Sequence, residues 1–136
     1  MPDVHGIAYR SLHGWKYELL EPYTLGLPPA FHQPGRFIET AYLRLDETTL
    51  TIKARYAWDG ASGPTVDTPD TMRASLVHDA LYQLIRLGVL ARALKGAADQ
   101  LLHDLLIADG MNRIRAWYWL RAVRWFGSID QQKPEA

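Results

Sequence analysis

A histidine and an aspartate stand side by side in the apolar run Leu76-Val77-His78-Asp79-Ala80-Leu81-Tyr82, and a further carboxylate, Asp99, follows on the next predicted helix. A neutral imidazole can take a proton from water. A carboxylate on its other ring nitrogen fixes the tautomer and stabilises the imidazolium that forms. These residue types therefore suit an activated base, with Asp99 as the partner of His78. Adjacent helical residues point about 100° apart, so His78 and Asp79 serve neighbouring but distinct sites rather than chelating one ion. Asp79 then faces the mouth of the site, where a hard cation could be held by its carboxylate and by carbonyl oxygens of an irregular loop. The Gly-rich stretch from Asp59 through Gly60 to Gly63 is the natural source of those oxygens. Tyr82 falls one turn after His78 on the same face, with its hydroxyl placed to brace Asp99. The same residues also suit a purely structural part, in which His78 and Asp79 tie down a loop and Asp99 is solvated near a helix start.

These groups must be positioned by helices, and the helix signals are strong. Thr68 can cap a helix with Pro69 at its first position and Asp70 in its first turn, and the helix is expected to run to about Leu87 and stop at Gly88. A second helix is expected from Ala91 or Lys95 to Ala108, closed by Asp109-Gly110, with Leu101, Leu102, Leu105 and Leu106 on one side. A third spans about Asn112 to Phe126 and ends at Gly127. Upstream, residues 36 to 45 and 50 to 58 are β-prone runs separated by Asp46-Glu47-Thr48, which predicts a hairpin, and Trp15 to Leu20 alternates as a further strand. Residues 59 to 69 hold small residues, two glycines and two prolines, so they read as an irregular loop joining strands to helices. The expected fold class is α+β: an N-terminal β-meander or hairpin followed by three helices, the first two antiparallel. Residues 1–127 are expected to form a single domain (1–58 β-rich, 59–69 loop, 70–127 helical), with 128–136 expected to be a flexible polar tail.

Composition narrows the chemistry. The 136 residues contain no cysteine, which excludes a disulfide framework, thiol catalysis and thiolate zinc sites. Fifteen basic residues balance fifteen acidic ones, so no global field points to nucleic acid. Residues 1–70 carry six Lys/Arg against nine Asp/Glu and residues 71–136 carry nine against six, so an anionic partner would meet the C-terminal half. The start Met1-Pro2-Asp3-Val4-His5 lacks the basic and apolar character of a signal peptide, and no apolar run is long enough to cross a bilayer.

The ordered blocks Asp59-x-Ala61-Ser62-x-Pro64, His78-Asp79-x-Leu81-Tyr82 and Ala98-Asp99 precede a helix ending near Gly110 and an aromatic helix closing with Arg124-Trp125-Phe126-Gly127. Over residues 56–127 this order resembles a phage-borne domain family of unknown function. The core is also similar to the phospholipase A2 superfamily, including cysteine-free relatives in parvovirus capsids, where His-Asp-x-x-Tyr on one helix faces an Asp on the next antiparallel helix. That resemblance implies His78 as general base, Asp99 as the carboxylate that orients it, Tyr82 as support, and Asp79 with loop carbonyls as a calcium site, with another divalent metal as the variant. It also implies an ester in a lipid as substrate, and a place in the infected host cytoplasm or the virion. The Tyr-Gly calcium loop of secreted phospholipases and the cysteines flanking the His-Asp motif are absent from this sequence.

Three further features compete for attention. Asp99 and His103 share a helical face at a spacing that can chelate a transition metal, so His78, Asp79, Asp99 and His103 would resemble a dinuclear phosphohydrolase centre; that pattern also needs an upstream histidine, and His5, His13 and His32 stand in unsuitable contexts. Ser62 lies in no Gly-x-Ser-x-Gly elbow, and Gly60-Ala61-Ser62-Gly63 has no Walker continuation, so Ser62 is read as a loop residue. On the third helix Arg113, Trp117, Arg121 and Arg124 fall within an arc of about 80°, a stripe that suits lipid headgroups or simply a solvated face. The leading expectation is a small phage-type hydrolase, with lipid or a membrane surface as partner. The alternative is a non-enzymatic virion or accessory protein that binds a phage or host protein through its aromatic and basic surface. No specific nucleic-acid motif is present, and the oligomeric state is open.

Overall fold

The structure is a computed structural model that describes residues 3–4, 6–12, 16–60, 68–126 and 129. Among the described residues eight strands come first: β1 (Asp3–Val4), β2 (Ile7–Ser11), β3 (Lys16–Leu19), β4 (Tyr23–Gly26), β5 (Phe37–Glu39), β6 (Leu43–Asp46), β7 (Thr49–Ile52) and β8 (Ala57–Asp59). They form two antiparallel sheets of four, ordered β1-β2-β3-β8 and β4-β7-β6-β5. Three helices follow among the described residues, α1 (Met72–Arg86), α2 (Lys95–Ala108) and α3 (Arg113–Phe126), so the α+β class is as expected.

The expected hairpin is β6–β7. Leu45 pairs with Leu50 and Asp46 with Thr49 across a two-residue turn at Glu47-Thr48, where Glu47 takes a positive φ of 39°. Leu43 and Leu45 on one strand and Leu50 and Ile52 on the other are fully buried, and the residues between them are not, which is the period-two signature of a sheet with one core face. Both longer runs are cut, however. The first bends at Thr40–Tyr42, with the Leu43 amide donating to the Thr40 hydroxyl at 3.0 Å. The second breaks between Ile52 and Ala57, where Arg55 adopts φ 79°, and its far end crosses to the other sheet as β8. There Trp58 pairs with Tyr17 and Asp59 with Lys16. Asp59 is thus the last residue of a strand rather than the first of the loop, because its backbone is held in the β3–β8 ladder.

The helix ends follow local chemistry. Pro69–Thr71 form a 3-10 turn ahead of α1, in which the Thr71 hydroxyl accepts from the Thr68 amide at 3.1 Å and donates to the Thr68 carbonyl at 2.8 Å. Past α1 the chain turns at Gly88 (φ 79°), and past α2 at Gly110 (φ 102°), both in conformations that cost a side-chain-bearing residue energy. Another 3-10 turn, Arg92–Leu94, leads into α2. Asn112 caps α3 through its side-chain oxygen, which accepts from the Arg115 amide at 2.8 Å.

Helix α1 is buried around most of its circumference and contacts β8 on one side and α2 on another, and α2 in turn packs on α3. Arg73, at the start of α1, grips Asp109, just past α2, through two hydrogen bonds of 3.0 and 2.7 Å. Arg115, early in α3, pairs with Asp70, just ahead of α1, at 3.5 Å. These end-to-end contacts make α1 and α2 antiparallel and return α3 antiparallel to α2. The sheets are fastened to the helices by the buried Trp58 indole, which donates to the Ser75 hydroxyl at 3.0 Å, and by Arg73, which donates to the Tyr23 hydroxyl at 3.3 Å. Ile129, within the segment expected to be a tail, is buried in the core; the other residues beyond Phe126 lie outside the described residues. Among the described residues no helix is long and apolar enough to cross a membrane.

Candidate functional site

The antiparallel pairing of α1 and α2 brings His78, Tyr82 and Asp99 together. His78 Nε2 lies 2.7 Å from Asp99 Oδ1, and the Tyr82 hydroxyl donates to the same oxygen at 2.5 Å. His78 and Tyr82 are one turn apart on α1, so their rings also meet, with centroids 4.1 Å apart. The second oxygen, Oδ2, accepts from Lys95 Nζ at 3.0 Å. Asp99 is wholly buried, and His78 keeps only 9 % of its side-chain surface.

The protonation pattern follows from the partners. Burial pushes the Asp99 carboxyl up, but hydrogen bonds from His78, Tyr82 and Lys95 together outweigh it and hold the group below the ordinary carboxylate range. Asp99 is therefore an ionised acceptor. Burial in the first place, and then the hydrogen bond to Asp99, push the Tyr82 phenol well above its usual value, so Tyr82 remains a donor. An ionised carboxylate accepts only, so the nitrogen facing it, Nε2, carries the proton in the neutral imidazole. Nδ1 is then left with a lone pair, and among the described residues the bond to Asp99 is the imidazole's only hydrogen bond. Such an arrangement can hold one tautomer of the imidazole from behind.

Lys95 is the member that inspection of the sequence passed over. A cation in the first turn of a helix opposes the helix dipole, so its presence there is better explained by its contact than by helix preference. Its i,i+4 spacing from Asp99 is the signal that could have found it. Its ammonium also lies 5.7 Å from the Tyr82 ring centroid, which closes the cluster on the α2 side.

The proposed cation ligands fare differently. Asp79 is half-buried, and its charge is one of the influences that raise the Tyr82 phenol. Asp59 and the buried Gly60 stand at the end of β8. Gly63, together with Ala61, Ser62 and Pro64 of the sequence block, lies outside the described residues, as do His5, His13 and Gly127. Carboxylates and backbone oxygens are the right kind of donor for calcium. Among the described residues, however, no three His, Asp or Glu side chains converge as a metal-holding group. His103 does not join the cluster: its Nδ1 lies 3.4 Å from Gln100 and 3.3 Å from Asp104 on the outer side of α2, which leaves the dinuclear arrangement without its fourth ligand. His32 is held through Nε2, 2.9 Å from the Leu27 carbonyl oxygen.

No family model, curated protein or solved structure matches the chain.

Proposed function

We propose that the protein is a small hydrolase in which His78, oriented by Asp99, activates water against an ester. The observation that carries this reading is the 2.7 Å His78–Asp99 contact inside a buried network that leaves Nδ1 as the basic nitrogen. In the reaction His78 Nδ1 takes a proton from water as the water oxygen attacks the ester carbonyl. The imidazolium so formed is stabilised by Asp99, whose charge is held in place by Tyr82 and Lys95. As the tetrahedral intermediate collapses, the imidazolium returns the proton to the departing alkoxide, releasing an acid and an alcohol.

The resemblance to the phospholipase A2 superfamily at His78, Asp79, Tyr82 and Asp99 favours an ester in a lipid as substrate and a phage-type setting. A calcium ion held by Asp79 with oxygens of Asp59, Gly60 and Gly63 would supply positive charge to the carbonyl oxygen. The proton transfers above are carried by this chain's own side chains.

Release of acid from phospholipids and from short-chain esters, measured in calcium and in chelator, tests the reading. Wild type is expected to hydrolyse at least one of them and His78→Ala to lose that activity while keeping its thermal melt. The calcium arm decides the cation separately. Hydrolysis equal in the two proteins, or none by wild type on any ester, would return the cluster to a structural role and favour the accessory-protein alternative.

A further inference from the structure

The outward face of α3 has a composition that neither the core nor the His78 site explains. Ile114 is 83 % exposed, Trp125 80 %, Trp117 56 % and Tyr118 44 %. Unrolled at about 100° per residue, these four share an arc of about 140° with Arg113, Arg121 and Arg124. Every residue in the arc is arginine, aromatic or isoleucine; there is no carboxylate anywhere on the helix. The opposite side is conventional, with Ala116, Trp119, Ala122 and Val123 buried. Large apolar side chains displayed together on one face are costly in water, and such a patch marks an interaction surface.

The order within the arc says more. The arginines occupy one edge and Ile114, Tyr118 and Trp125 the other, with Trp117 between Arg124 and Arg121 and the Arg121 guanidinium 5.5 Å from the Trp117 ring. A shallow open depression lined by Asn112, Arg113, Ile114, Arg115 and Tyr118 lies at the N-terminal end of the same face. Arginine stems can lie along apolar surface with their heads at phosphate level, while tryptophan and isoleucine enter the acyl boundary.

We infer that this face of α3 docks on an anionic lipid bilayer. Charge complementarity selects that occupant. The whole chain is formally neutral, so attraction to phosphate comes from this face and not from a global field. A second copy of the chain is disfavoured, because self-pairing of the face would oppose arginine to arginine with no acid on the helix to offset them. A nucleic acid would satisfy the arginines and leave Ile114 and Trp125 in water. A bilayer takes both, and being fluid it requires no shaped counterpart. The inference goes beyond the hydrolytic reading and stands whether or not His78 turns over an ester.

The test is co-sedimentation of the full chain with vesicles of phosphatidylcholine alone and of phosphatidylcholine containing phosphatidylglycerol, at low and high salt, with tryptophan fluorescence followed in parallel. Wild type is expected to partition onto the phosphatidylglycerol vesicles with a blue-shifted emission, and to lose affinity as salt rises. The triple variant Arg113→Gln, Arg121→Gln, Arg124→Gln should weaken partition by roughly fivefold per arginine. Ile114→Ser with Trp125→Ser should weaken it at least about tenfold and remove most of the emission shift. All five positions are exposed, so the variants should melt as wild type does. Equal binding to both vesicle types, no binding to either, or unchanged binding by the arginine variant would overturn the inference. So would tighter binding to DNA than to the anionic vesicles, or self-association abolished by the Ile114→Ser, Trp125→Ser change.

Discussion

Asp99 accepts three hydrogen bonds from three donor types while wholly buried, and its state decides what His78 can do. Because its folded-state pKa lies below the unfolded value, its ionisation contributes stability that is present above about pH 4 and is lost as pH falls through the folded value. Asp99→Asn should therefore be less stable than wild type at neutral pH, and the gap in melting temperature should close only below about pH 4. A gap that stays constant down to about pH 3 would contradict this. Tyr82→Phe removes one donor to a buried charge and should cost about 1–3 kcal/mol in denaturant unfolding. The contact of His78, Tyr82 and Asp99 is legible in the sequence, because one-turn spacing on an apolar helix and a carboxylate on an antiparallel neighbour leave few other arrangements. Lys95 is not, since its place in a first helical turn argues against it until its partner is known.

At the scale of elements, the register of α1 against α2 is what delivers Asp99 to His78, and the Arg73–Asp109 pair holds that register from the far end. Both side chains are largely buried, at 18 % and 5 % exposure. Burial would lower the Arg73 pKa, and hydrogen bonds to Asp109 and Tyr23 raise it further than that, so the guanidinium stays charged. Arg73→Met should destabilise by about 3 kcal/mol or more, because it takes the guanidinium and its two hydrogen bonds from a buried carboxylate. Adding Asp109→Leu should recover part of the loss; a double variant weaker by the sum of the singles would show that the two residues act independently. The helices are readable because Thr68-Pro69, Gly88 and Asp109-Gly110 punctuate apolar periodicity of the right length. The sheets are less so. β8 belongs with β3 rather than with β7, and that pairing joins residues 16–18 to 57–59, a distance over which local alternation carries no information. The three residues of β5 likewise are too few for a period to show.

At the scale of the whole molecule, α2 stands between the two regions to which the proposals attach, packing on both α1 and α3. One of its sides supplies Asp99 and Lys95 to the His78 cluster, and α3 packs on it with its arginine and tryptophan face turned to solvent. The face inferred to meet lipid lies in the half of the sequence richer in Lys and Arg, although composition alone says nothing of the apolar edge that makes the face amphipathic. The buried contact between α1 and α2 also means that the His78–Asp99 pair is built by tertiary packing, so, on the proposed hydrolytic reading, any change that slides the two helices should lower turnover without touching His78.

The central claim is that His78 and Asp99 act as one unit on an ester. The most direct measurement is kcat/KM for the best ester substrate in wild type, His78→Ala, Asp99→Asn and the double variant, each shown to fold at the assay pH. Asp99→Asn alone should lose on the order of 10²- to 10⁴-fold, and the double variant should be no slower than His78→Ala, because a carboxylate that works through the imidazole has nothing left to orient. Losses that multiply in the double variant, or an Asp99→Asn protein as fast as wild type, would contradict the account.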